Sequence, residues 1–377
     1  MSNHPLPKQF REMHSNIALA DRALVAIAAH VEVRSVLHGS RALSDRELKD
    51  VLVGSYARRV SIWPGKDVDV FGRLMGETVQ SIAPDDAYGL FDSALKPFDE
   101  QGRLVRQPRS LKVSFGPDRV PSPDYIRLAA KEYNWKQSRV SRVIANLDKL
   151  GFDFSVDVVP AVRWNGHYGI PEVHRPQPWA DRQRTGGWHC TDPVQLIDET
   201  RERNGDVIVG GAGGFVPTVK TLKQVKSSHL EDTKPSFLYY EFALHEGFAA
   251  GDIQGDSWAD VTASALKFLA ARLAEVDARP VCDPVLDQPY APAPAPDDVA
   301  AARETLDALA RRAQRAVTTQ DACQAAIEWR HILGGNRKMD NVFPLPPGCR
   351  STGVVMGGAG AANVATGGTA ERSFGGR

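Results

Sequence analysis

The chain has 377 residues, 42% hydrophobic and 24% charged, a composition suited to a soluble globular protein with room for two domains or one bilobal unit. Its 46 Lys and Arg balance its 46 Asp and Glu, so there is no global basic field for nucleic acid, and an anionic ligand must meet a local cluster of cations. No stretch approaches the ~18 to 20 apolar residues of a membrane span, and the N-terminal MSNHPLPKQFREMHSN lacks the apolar run of a signal peptide, which predicts a cytoplasmic protein with no membrane partner. Cys190, Cys282, Cys323 and Cys349 lie far apart, with neither a CxxC pair nor His/Cys metal spacing. That pattern predicts a reducing compartment and argues against a disulfide framework or a structural zinc.

From about Phe10 to Asp50, apolar residues recur at three- and four-residue spacing and read as helical. SDRELKDVLVGSY continues the pattern, with Ser44 as its cap, Glu47 at the capping-box position and Gly54 at its end. KDVDVFGRL alternates with period two and reads as a strand, and DDAYGLFDSALKPFDEQG reads as a helix closed by Gly102. RSLKVSF and FDFSVDVVPAV are further strands, the second stopped in its regular pairing by Pro160. Between them, within residues 117–150, lies a helical insertion to which the sequence assigns no role. Strands interspersed with helices suggest an α/β lobe. After Pro160, a stretch rich in Pro, Gly and Trp reads as an ordered, irregular connector. Helical signal then dominates to Gly335, broken by NGDVIVGGAGGF and by RPVCDPVLDQPYAPAPAPDD, before a Gly/Ala-rich tail that cannot bury enough to fold.

Side chains at i and i+2 of a strand share a face, so Asp67 and Asp69 point one way while Val68 and Val70 point into a core. The strand containing Asp157 repeats the device. If the two strands are neighbours, three carboxylates converge, and two such charges ~4 Å apart repel by about 4 kcal/mol at an effective dielectric near 20. A fold keeps such a cluster most readily for divalent cations, and hard oxygen ligands select Mg²⁺ or Mn²⁺. Alone, a D-x-D strand is common by chance and its acids are usually just solvated. Here a Gly54-Ser55 turn stands just upstream, where glycine permits close backbone approach and the hydroxyl and N–H groups can bind phosphate oxygens.

GSYARRVSIWPGKDVDVF followed by SVDVVPA resembles the DNA polymerase β-type nucleotidyltransferases. The longer order, with GGWHCTDPVQLIDETRERN, FVPTVKTLKQVK, KPSFLYYEFAL and AAIEWRHILGG downstream, is similar to the CD-NTases, bacterial enzymes related to cyclic GMP–AMP synthase and oligoadenylate synthase. The resemblance spans roughly Phe10 to Pro344. It implies an α+β bilobal fold: a polymerase β-like core with a mixed sheet and N-terminal helices over residues 1–165, a helical lobe over 166–345, and a disordered tail over 346–377. It implies two metal ions on Asp67, Asp69 and Asp157, with Asp157 helping to activate the attacking hydroxyl. Gly54, Ser55, Lys223 and Ser236 would bind the triphosphate of an NTP such as ATP.

The implied activity is the joining of NTPs into a cyclic oligonucleotide that activates a separate effector in antiphage signalling. A linear oligoadenylate synthase, an enzyme modifying RNA or a small molecule, and an inactive sensing module stay open. Lys223 reads equally as a solvated helix lysine. Arg58, Arg59 and Lys66 read as a solvated rim that could add positive potential, and Glu241 as a helix-packing residue. Trp164, His167, Trp179 and Trp188 could stack bases but suit packing at the lobe junction better. His189 to Asp192 read as a loop and helix cap. The tail, ending SFGGR, has access suited to a conjugation or regulatory partner, although Arg377 departs from a terminal small residue.

Overall fold

The computed structural model describes residues 4–65, 67–116, 118–145, 153–173, 187–230, 235–277, 279–290 and 293–350. In chain order its first elements are α1 (Pro7–Asn16), α2 (Arg22–Gly39), α3 (Arg41–Ser44), β1 (Leu48–Val53), the short α4 (Gly54–Ala57) and β2 (Asp67–Thr78). Then come α5 (Pro84–Ala94), α6 (Lys96–Asp99), β3 (Leu104–Arg106), β4 (Leu111–Phe115), α7 (Pro123–Glu132), α8 (Gln137–Ile144) and β5 (Phe154–Trp164). Two more strands, β6 (His167–Pro171) and β7 (Trp188–Thr191), complete a mixed sheet of order β1-β2-β5-β4-β3, with β6 on β5 and β7 on β6. The pairing of β2 with β5 is parallel, and the other pairings in this sheet are antiparallel.

One face of the sheet is covered by α2, α5 and α7. Val68, Val70, Val156 and Val158 are fully buried there with Leu24, Phe91 and Ile126. The helical insertion thus has a packing role: Ala129, Val140 and Val143 belong to this core.

The second lobe contains α9 (Pro193–Arg203), the hairpin β8 (Ile208–Val209) and β9 (Ala212–Gly213), α10 (Phe215–His229), α11 (Phe237–Ala249) and α12 (Trp258–Leu273). It ends with the hairpin β10 (Cys282–Asp283) and β11 (Gln288–Pro289), α13 (Pro296–Thr318) and α14 (Ala322–Leu333). Local chemistry starts several of these helices. The Asp192 carboxylate accepts from the Gln195 N–H, Ser257 Oγ from Asp260 N–H, and Asp321 from Cys323 and Gln324, each quieting donors that a helix start leaves open.

Several sequence expectations are corrected. LKDVLV is not helical: Glu47 takes a left-handed φ of 55°, and the next six residues pair along β2 from Leu48 opposite Leu74 to Val53 opposite Asp69. Pro160 does not stop β5, which stays in register with β2 through Val162. It falls between the residues paired by β4, ending at Val158, and those paired by β6, beginning at Val162, where its missing N–H has no ladder partner to fail. The supposed irregular connector contributes β6 and β7, and its residues 174–186, including Trp179, lie outside the described residues. Helix α1, expected with the catalytic lobe, buries Phe10 and Met13 in the helical lobe's core, with Phe10 edge-on to Trp329 and Phe343 at 5.1 Å each. Cys323 and Cys349 form a disulfide across a sequence separation of 26, while Cys190 and Cys282 are free. Spacing in the sequence conceals that α14 and the returning chain bring those two Cα atoms within 5.5 Å. Most of the tail, 351–377, lies outside the described residues.

Candidate active site

The site begins with strand register. Asp69 on β2 stands opposite Asp157 on β5, and Asp67 opposite Ser155. Strand alternation puts Asp67, Asp69 and Asp157 on the face away from the buried valines. Asp67 is exposed, whereas Asp69 and Asp157 are half-buried. Lys112 of β4 pairs opposite Asp157, so a cation closes the row at its far end. This lysine was missed by sequence reasoning; the alternation in RSLKVSF marked its face, but not its neighbour.

The chain leaves β1 at Val53 and enters α4 through Gly54, whose φ is +68°. A Cβ at Gly54 would lie 1.7 Å from Asp69 Oδ2. Only glycine allows the turn to press against the acid row and also takes that φ without strain. Ser55, the next residue, bonds Ser61 Oγ at 3.0 Å and lines the cleft between the lobes. The cleft has a volume of about 930 Å³. Asp67, Trp63 and Gly65 form part of one wall; Lys223, Lys226 and Phe237 face it, with Asn336 and Arg337 beyond.

Crowding of like charges in a partly dry site shows in the proton affinities. Burial, then the Asp67 and Asp157 charges, push Asp69 from 3.8 up to about 7, against the pull of Arg58 and Lys223. Burial and Asp67 raise Asp157 to about 6, against Lys112 and a hydrogen bond from Ser155. Across the cleft, burial lowers Lys223 to about 8; Glu241 and Asp67 oppose that fall, and Arg58 and Lys220 add to it. Acids that hold protons too tightly and a lysine that holds its proton too loosely both relax when a multivalent cation and a polyanion enter between them.

Among the described residues, no group of three His, Cys, Asp or Glu side chains is gathered closely enough to hold a metal ion as it stands. The donor set nevertheless fits a hard cation. Asp157 Oδ1 is buried without a hydrogen-bond partner, and Asp69 Oδ2 faces the space that Gly54 leaves open. Carboxylate oxygens of this kind suit Mg²⁺ or Mn²⁺.

Not every expected residue arrives. Ser236 is exposed and its hydroxyl bonds Tyr290 at 2.7 Å, so it is not placed among the cleft-lining residues with Ser55 and Lys223. Arg58 is not a solvated rim residue: it is buried and donates two hydrogen bonds to Glu241 of α11, at 3.0 and 3.1 Å. Glu241 accordingly spans the lobes rather than packing one helix. Arg59 is exposed, and Lys66 lies outside the described residues. Trp188 is buried in the core of the sheet lobe and Trp164 packs against it, away from the lobe junction. His167 Nδ1 stands 3.3 Å from the Asp192 carboxylate that caps α9, and His189 to Thr191 form β7 rather than a loop.

An acid row on a mixed sheet, a glycine-serine turn against it and a lysine helix across a cleft agree with the polymerase β-like fold that the sequence resembles. No protein-family model and no curated protein matches the sequence, but solved structures match most of the chain. CdnC of E. coli MS115-1, solved with ATP, superposes with a TM-score of 0.58 at 14% identity, covering 90% of this chain and 98% of that one. The CD-NTase CdnG of Bradyrhizobium diazoefficiens, solved with GTP, gives 0.59 at 14% identity over 87% and 95% of the two chains. DncV of Vibrio cholerae, a cyclic AMP-GMP synthase, gives 0.52 at 12% identity over 94% and 90%. The fold of this chain is that of the CD-NTases.

Proposed function

We propose that the protein is a metal-dependent nucleotidyltransferase that joins NTPs into a cyclic oligonucleotide second messenger. The observation that carries this reading is the register of Asp69 against Asp157 beside the Gly54-Ser55 turn, with Lys223 facing them over the cleft. The similar proteins add support: CdnC and CdnG were solved with ATP and GTP, and DncV is described as a cyclic AMP-GMP synthase.

Asp67, Asp69 and Asp157 would hold two Mg²⁺ or Mn²⁺ ions, which supply charge neutralisation for an attacking ribose hydroxyl and for departing pyrophosphate. The protein's own residues do the rest. In this reading the Gly54-Ser55 backbone and hydroxyl grip the phosphate chain, Lys223 counters its charge, and Asp157 takes the proton of the attacking hydroxyl. Such transfer needs alignment more than covalent chemistry, and a rigid sheet set against a helical lobe provides it. The product would be consumed by a separate effector, which fits an antiphage signalling role. A protein partner is in keeping with CdnC, solved in complex with a HORMA protein.

The test is incubation of the purified protein with radiolabelled NTPs and Mg²⁺ or Mn²⁺, followed by phosphatase and mass spectrometry. A phosphatase-resistant cyclic product, absent with Asp67→Ala/Asp69→Ala, is expected. No product with any divalent ion, or an undiminished product from the double variant, overturns the reading. A linear product would move it to an oligonucleotide synthase that does not close the ring.

A further inference from the structure

We infer that Arg58 and Glu241 are a positioning pair, coupling the phosphate-binding turn of the sheet lobe to the lysine helix of the other so that Ser55 and Lys223 grip one triphosphate together. The inference rests on the function proposed above and adds residues to it. Arg58 follows α4 directly, and its backbone N–H donates to the Gly54 carbonyl at 3.3 Å, so its main chain is fixed one turn from the site while its guanidinium is held by Glu241. Glu241 lies on α11, one helical turn beyond Phe237, over whose ring Lys223 Nζ sits at 5.1 Å. The side chains of the pair are only 5% and 4% exposed. Two residues past Arg58, Val60 is fully buried in the helical lobe's core, so the same short loop crosses between lobes with an ionic and an apolar anchor.

Two features favour positioning over plain stabilisation. A buried ion pair is often no better for stability than well-packed apolar residues in its place, whereas a bidentate fork fixes both distance and angle. The second feature is placement. Arg58 caps the turn whose Gly54 presses on Asp69, and Glu241 stands one helical turn beyond the ring that lies under Lys223. A pair serving only to join the lobes has no need to sit on those two elements.

The experiment compares wild type with Arg58→Met/Glu241→Leu and with the charge swap Arg58→Glu/Glu241→Arg. Binding of non-hydrolysable ATP and GTP analogues, and of inorganic tripolyphosphate, is measured by calorimetry with Mg²⁺; adenosine and guanosine are the phosphate-free controls, and melting is followed in parallel. The apolar double variant is expected to melt near wild type, to bind the triphosphate ligands at least tenfold more weakly, and to bind the nucleosides unchanged. In the swap a carboxylate comes beside Asp69 and a guanidinium beside Lys223, so the pair re-forms but triphosphate affinity is not restored. Wild-type triphosphate affinity in the folded apolar variant, or full restoration by the swap, overturns the inference. Should the double variants not fold, Arg58→Lys decides: it keeps the charge and loses the fork, and triphosphate affinity equal to wild type refutes positioning. A wild-type protein that binds no triphosphate at all would instead bring down the proposed function.

Discussion

Replacing Asp69 with asparagine is expected to stabilise the fold while abolishing activity. The folded-state pKa of Asp69 is raised from 3.8 to about 7, so the native protein holds a proton that the unfolded chain has released. The sign follows: the penalty is absent below the unfolded value, grows as pH rises through the interval, and is complete above about 7. At ~1.4 kcal/mol per unit, the shift corresponds to about 4 kcal/mol at pH 8 but only about 2 kcal/mol at pH 5.5. The asparagine amide is uncharged at both, so Asp69→Asn should stabilise by about 2 kcal/mol more at pH 8 than at pH 5.5. That difference is several degrees of melting temperature in a lobe of this size. Denaturant melts without divalent ions, repeated with saturating Mg²⁺, are the assay, and the cation should close the gap by neutralising the wild-type acids. Equal effects at both pH values, or a gap indifferent to Mg²⁺, would refute the electrostatic reasoning.

Other consequences are as direct. Gly54→Ala drives a methyl group into Asp69 Oδ2, at 1.7 Å on the present backbone; a loss of about 100-fold in product formation is expected from the displaced turn, and wild-type turnover would contradict it. Triphosphate affinity should fall as pH rises through about 8, where Lys223 loses its proton, and Lys223→Arg should flatten that limb because guanidinium stays charged; titration by calorimetry decides. Reduction, or Cys323→Ser/Cys349→Ser, should destabilise the fold by about 3.5 kcal/mol from the loop it opens, read as a lower denaturation midpoint with dithiothreitol.

The acid row was legible because its signal is local. Period two in DVDV and SVDVV places acids on one face whatever the rest of the chain does, and the sequence order resembled a known superfamily. What escaped was long-range. LKDVLV follows a helical run closely enough to look like its continuation, and only pairing with β2 makes it a strand. The partnership of Arg58 with Glu241 spans 183 positions, and no spacing rule reaches that far. Phe10 sits before a catalytic-looking segment yet finds its apolar partners in Trp329 and Phe343 at the opposite end of the chain. Ser236 shows another limit: the motif fixed its place at the start of a helix, not the partner of its hydroxyl, which is Tyr290.

Because β2 and β5 run parallel, the chain must travel a long way to return between them, and here that excursion carries β3, β4 and the α7–α8 pair. The alignment of Asp69 with Asp157 depends on the ladder joining their own two strands. The exposed parts of the excursion can therefore be refitted, as a workshop is around a fixed bench, while the two paired carboxylates keep their places.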